Sequence, residues 1–109
     1  MDLCKIENEF NRHYNLEKLK TYAKKSLLKD YLECKEVEDE FSECIPQETT
    51  LKSMDIVYSG TQVFFTGRHR NYPIFRIRYI VQYRNKDYFW YDLEFDYKGT
   101  VIDDYFDAF

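Results

Sequence analysis

At Pro46 the spacing of apolar residues changes. Before it, Leu16, Leu19, Ala23, Leu27, Tyr31 and Cys34 recur at steps of three and four, the pattern of a helix with one buried stripe. After residue 51 the step becomes two. Phe75, Ile77, Tyr79, Val81 and Tyr83 alternate with other residues, and Phe89, Tyr91, Leu93, Phe95 and Tyr97 do so again. That is the period of strands with one buried face. A chain that makes this switch once is expected to be α+β, with helices on one face of an antiparallel sheet. The reading is a single domain over residues 1–109, helical over 1–45 and sheet over 51–109, a length that suits one core.

Within the helical part, residues 2–12 read as a short first helix with Leu3, Ile6 and Phe10 on one side. Asn15 is placed as the N-cap of the long second helix. Val37, Phe41 and Cys44 continue helical spacing into a third short helix, or a bent continuation, that Pro46 ends. Within the sheet part, Ser59-Gly60 reads as a turn or bulge, Gln62–Thr66 as a strand, and residues 67–73 as a loop. The long strands on either side of Asn85-Lys86-Asp87 form a meander with a last strand from Thr100 to Phe106 after Lys98-Gly99, giving four to five strands in all. Aromatics make up 19% of the chain, and rings fit a pleated surface well.

The charge is unevenly distributed. Residues 1–50 carry twelve acids and eight bases, residues 51–86 one acid and seven bases, and residues 87–109 seven acids and one base. Sheet geometry accounts for part of this. A three-residue turn at 85–87 pairs Tyr83 with Phe89, which sets Arg78 across from Glu94 and Arg76 across from Asp96, and opposite charges so placed attract. Trp90 lies on the same outer face, beside Tyr88 and Asp92, with no such account, and an aromatic flanked by acids is typical of an interface. A two-residue turn at Lys98-Gly99 pairs Phe95 with Ile102. It points Asp104 and Phe106 inward and Asp103 and Tyr105 outward.

The last segment, KGTVIDDYFD, resembles the closing strand of NTF2-like proteins, through Gly99, the pair Val101-Ile102, the pair Tyr105-Phe106, and Asp107. LEFDYKGTVIDDYF also resembles the C-terminal segments of small immunity proteins of bacterial toxin systems. The resemblance implies a cone-like curved sheet, or a trimmed version of it, and a protein that neutralises a toxin.

Other function classes have less to stand on. There is no Ser-His-Asp set, Gly-rich phosphate loop, HExxH or CxxC. His13 and His69 read as capping or solvent-facing. An Asp104–Tyr pair in a pocket is the one catalytic arrangement that can be built, and it needs an open cone. Arg68, Arg70, Arg76, Arg78 and Arg84 with nearby rings would suit nucleic acid, but the net charge of −4 and the adjoining acids oppose phosphate. Cys4, Cys34 and Cys44 are odd in number and fit no zinc spacing. No apolar run reaches the roughly 18 residues of a membrane span, and no secretory signal is visible. No cofactor, metal, nucleic acid or membrane is expected. The expectation is a cytoplasmic binder, monomeric or homodimeric, that inhibits a basic protein partner such as a nuclease toxin. A mobile-element inhibitor of a host defence nuclease is one alternative, and an NTF2-like enzyme or ligand carrier another. The expected contact residues are Trp90, Asp92, Asp103, Asp104, Tyr105 and Asp107, with Glu38, Asp39 and Glu40 of the acidic helical run.

Overall fold

The computed structural model describes residues 2, 4, 5, 8, 12, 15–64, 73–96 and 98–109. The first expected helix, over 2–12, falls largely outside the described residues. Helix α1 spans Leu16–Leu27 and runs on into a π-helical turn, Leu28–Leu32. A short helix α2, Lys35–Glu40, and two 3₁₀ turns, Ser42–Cys44 and Leu51–Ser53, lead to the sheet. The strands are β1 (Asp55–Phe64), β2 (Ile74–Tyr83), β3 (Lys86–Asp96) and β4 (Val101–Ala108), in spatial order β1-β2-β3-β4 and antiparallel throughout. The architecture is α+β, a helix packed on a four-stranded meander. No helix among the described residues is long and apolar enough to cross a membrane.

Helix α1 starts where its sequence predicts. The Asn15 side chain accepts the Lys18 N–H at 3.3 Å, satisfying one of the orphan donors of the first turn. Glu17 in the first turn and Lys24 and Lys25 in the last match the helix dipole. Leu16, Ala23 and Leu27 are buried as expected, but the next fully buried residue is Leu32 rather than Tyr31. The π-turn inserts one extra residue, so the stripe takes a step of five there. Tyr31 is left half-buried at the margin of the core.

The core lies between this helical layer and the odd-numbered residues of the two central strands. Phe75, Ile77, Tyr79 and Val81 of β2, and Phe89, Tyr91, Leu93 and Phe95 of β3, are all at most 5% exposed. Tyr79 crosses the layer and donates its hydroxyl to the Lys20 carbonyl at 2.9 Å. This anchors α1 over β2.

Two registers differ from expectation. The β2–β3 turn is two residues, Arg84-Asn85, both with positive φ (51° and 63°), and it pairs Tyr83 with Lys86. Alone, that turn would set odd residues opposite even ones and drive one strand's apolar face into solvent. A bulge corrects it. Gln82 faces Asp87 and Val81 faces Phe89, so Tyr88 is the extra residue and odd faces odd again. Arg78 consequently faces Asp92, not Glu94, and Arg76 faces Glu94, not Asp96.

At the β3–β4 turn, Gly99 has a positive φ (82°), which glycine adopts at no steric cost. The connection is longer than two residues, however. Asp96 donates its N–H to the Thr100 carbonyl (2.9 Å), and its carboxylate accepts the N–H groups of Lys98 and Thr100 (2.9 and 3.0 Å). Phe95 therefore faces Val101 rather than Ile102, with an irregularity before Glu94 pairs with Asp103. From there Asp104 faces Leu93 and Phe106 faces Tyr91, the expected inward placement. The Ser59-Gly60 break is a bulge inside β1, not a turn.

Candidate functional site

Among the described residues the helices cover one face of the sheet. The other carries the even residues of β2 and β3 and the odd residues of β4 from Asp103 onward, and the register arranges them in rows. Ile80, Trp90 and Asp107 form one row, Arg78, Asp92 and Tyr105 the next, and Arg76, Glu94 and Asp103 a third. Five of the nine expected contact residues, Trp90, Asp92, Asp103, Tyr105 and Asp107, thus share one face. Val57, 42% exposed, extends the Ile80–Trp90 row on β1. Sequence reasoning missed Val57 and Ile80, although each is an apolar residue at an out-facing position of an alternating strand.

The middle of this face is held by two ion pairs. Arg78 forks onto Asp92 with bonds of 2.7 and 2.8 Å, and Arg76 binds Glu94 through two nitrogens at 3.2 and 2.8 Å. Nε of Arg76 also lies 3.9 Å from Asp92. Asp92 and Glu94 are only 2% and 4% exposed. Asp92, expected as a surface contact, is therefore a structural carboxylate, because the bulge at Tyr88 brings Arg78 across from it. The bond to Asp92 raises the pKa of the Arg78 guanidinium further. Arg78 also lies over the Trp90 indole at 5.0 Å and Arg76 over the Phe64 ring at 5.0 Å, cation–π contacts that leave Trp90 half-buried.

Along β4 the acids have backbone partners. The Phe109 N–H bonds to the Tyr88 carbonyl, so odd residues of β4 direct their N–H groups at β3 and even residues direct theirs outward. Asp103 accepts the outward N–H of Asp104, and Asp107 that of Ala108, each at 2.8 Å. Tyr105, 41% exposed, donates its hydroxyl to Asp103 at 3.0 Å, and that bond raises its pKa. Asp103 and Asp107 are themselves exposed. Two acids therefore blunt the edge strand and keep their charges in solvent.

The remaining expected residues lie elsewhere. Asp104 is on the helix side and accepts the Tyr91 hydroxyl at 3.1 Å. Burial, with the Asp104 carboxylate close by, pushes the Tyr31 pKa to about 12, and burial raises that of Tyr91 further. Around them Phe106 stacks on Tyr31 (4.9 Å) and Phe89 (5.3 Å), with Phe41 edge-on to both Phe89 and Phe106. Phe41 thereby docks α2 on the helix side of the β3–β4 end. Glu38 accepts the Leu51 N–H at 3.3 Å, whereas Asp39 and Glu40 are exposed. A surface cavity of about 660 Å³ lies between α1 and the β3–β4 turn, lined by Leu19, Tyr22, Leu93, Phe95 and Val101 with Lys18 and Lys98. It is not the pocket of Asp104 and tyrosines that the carrier reading anticipates.

His13, His69, Arg68 and Arg70 lie outside the described residues. Among the described residues no three His, Cys, Asp or Glu side chains are grouped to hold a metal ion. Cys4, Cys34 and Cys44 are free thiols. No family model, curated protein or solved structure matches this chain.

Proposed function

We propose that this chain is a binding protein that inhibits a cationic protein partner, using the outer face of the sheet at β3 and β4. The observation that carries the reading is the row pattern itself. Half-buried Trp90 and exposed Tyr105 sit beside the exposed carboxylates of Asp103 and Asp107 on a face that no helix among the described residues covers. Rings supply contact area at low entropic cost, and exposed acids speed encounter with a basic surface. The likeness of residues 93–106 to the ends of small immunity proteins gives the partner class, a bacterial toxin with a basic active-site region. The same likeness supports reading the four-stranded meander as a trimmed NTF2-like cone.

The test is co-expression with the product of the adjacent gene, which this reading expects to be the toxin. Wild type is expected to restore growth, and Tyr105→Ala to weaken toxin binding by roughly tenfold or more with an unchanged urea midpoint. Asp103→Asn with Asp107→Asn keeps an acceptor for each outward N–H but removes the charge. That pair is expected to slow association and flatten its salt dependence. Growth that wild type does not restore, or affinity that neither variant alters, refutes the proposal.

A further inference from the structure

The two edges of the sheet are built differently. β4 is acidic, and its own carboxylates close the outward N–H groups of Asp104 and Ala108. At the other edge, β1 carries no charged residue and no proline from 56 to 64. Val57, Val63 and Phe64 are 42, 36 and 40% exposed there. Among the described residues the backbone of 56–64 makes no hydrogen bond beyond its ladder with β2. A Cβ built on Gly60 would meet nothing within 4 Å, so the strand is open at its middle. Long, uncharged edges of this kind are templates for strand addition.

We infer that β1 pairs antiparallel with β1 of a second copy of this chain, joining two four-stranded sheets into one of eight strands. Past the bulge at Tyr58/Gly60, residues 60–64 are in regular register with β2, and a two-fold axis at Gln62 makes them self-complementary. Gly60 then faces Phe64 of the second copy, and Thr61 faces Val63. The faces agree: Gly60, Gln62 and Phe64 lie opposite Arg78, Arg76 and Ile74 on the outer side, while Thr61 and Val63 lie opposite core residues Ile77 and Phe75. Each exposed Phe64 ring covers a glycine that has no side chain of its own, a cross-strand fit used to support edge glycines.

The pairing brings no like charges together along the strand. The same operation on β4, centred on Tyr105, would set Asp103 against Asp107 of the other copy, which is repulsive. Pairing β1 with β4 would propagate from copy to copy without closing, and the occupied N–H groups of β4 oppose it. The edge chemistry therefore selects a closed dimer, which leaves both Trp90–Tyr105 faces free for the partner of the proposed function.

Sedimentation equilibrium and oxidative trapping test this. Wild type is expected to approach twice the 13.4 kDa chain mass at concentrations up to roughly 100 μM. Gln62→Lys puts two ammonium groups at the axis beside Arg76 of each copy. It is expected to weaken the dimer at least about tenfold with the circular dichroism and urea midpoint of the monomer retained. Gln62→Cys brings the two introduced thiols within disulfide reach and is expected to give a covalent dimer on mild oxidation, beyond any formed by wild type. A wild type that stays monomeric throughout, a dimer that Gln62→Lys does not weaken, or no extra covalent dimer from Gln62→Cys overturns the inference.

Discussion

Removing the exposed member of the Arg78–Asp92 pair should harm the fold more than removing the buried one. Asp92 is 2% exposed, whereas the Arg78 side chain is 41% exposed. In Arg78→Ala the carboxylate stays in place with both of its 2.7–2.8 Å bonds gone, and only Arg76 Nε remains, at 3.9 Å. Stranding a buried charge typically costs about 3–5 kcal/mol. Access of water through the vacated guanidinium site, and Arg76, reduce this to roughly 2–3 kcal/mol. In Asp92→Ala the freed guanidinium can turn to solvent, so the loss is confined to the pair and a small void, about 1–2 kcal/mol. Urea unfolding of both single variants and the double variant gives each value and the coupling. The expected order is Arg78→Ala least stable, with the double variant no worse than Arg78→Ala. An Arg78→Ala chain within about 0.5 kcal/mol of wild type, or one more stable than Asp92→Ala, would show that Asp92 is not a desolvated carboxylate held by that fork.

Three further outcomes are expected. Tyr31 and Tyr79 have pKa values raised from 10.0 to about 12. The folded chain holds those protons that the unfolded chain releases, so stability is intact below pH 10 and falls as pH rises toward 12. Urea midpoints across that window, with tyrosinate absorbance read in parallel, check it, and Tyr79→Phe should show a shallower decline. Asp103→Ala with Asp107→Ala frees two outward N–H groups as well as removing charge. That pair should associate through β4 in a light-scattering assay, whereas the Asn pair, which keeps the acceptors, should do so less. Phe106→Ala removes a ring that contacts Tyr31, Phe89 and Phe41. A loss of about 2–4 kcal/mol in urea unfolding is expected, at the lower part of the range for buried rings because Phe106 is half-buried.

The elements and the inward face were legible from period alone. The odd residues of both central strands are buried, and Asn15 caps the helix it was expected to cap. Three differences are single-residue insertions: the π-turn after Leu27, the bulge at Tyr88, and the irregularity before Phe95. The bulge at Tyr88 preserves the apolar face while displacing what lies opposite it. Burial constrains parity strongly and absolute register weakly, so a sequence that shows which residues point inward need not show which arginine meets which acid. Parity therefore leaves Asp92 on the outer face without a partner and sets Glu94 opposite Arg78, whereas the bulge gives Arg78 to Asp92 and Arg76 to Glu94. The outer face was legible in membership, since parity alone sends Trp90, Asp103, Tyr105 and Asp107 there. Its centre was not, because burial beneath arginine side chains has no periodic signature.

The acids between Asp92 and Asp107 also divide by what the backbone asks of them. Asp92 and Glu94 neutralise arginines, Asp96 closes a turn, Asp104 receives the Tyr91 hydroxyl, and Asp103 and Asp107 occupy edge N–H groups. An intramolecular partner for all six means that acidity alone no longer argues for a binding partner. The case passes to exposure. Asp92 and Glu94 are buried with their charges turned to arginines, whereas Asp103 and Asp107 are exposed beside Tyr105 and Trp90. Asp107 uses one oxygen to close its N–H and keeps the other for solvent or a cation, while in Asp103 the second oxygen accepts the Tyr105 hydroxyl and each oxygen keeps a further lone pair. Edge protection and recognition are therefore compatible in the same two side chains. The asparagine pair, which keeps the first role and loses the second, tells them apart.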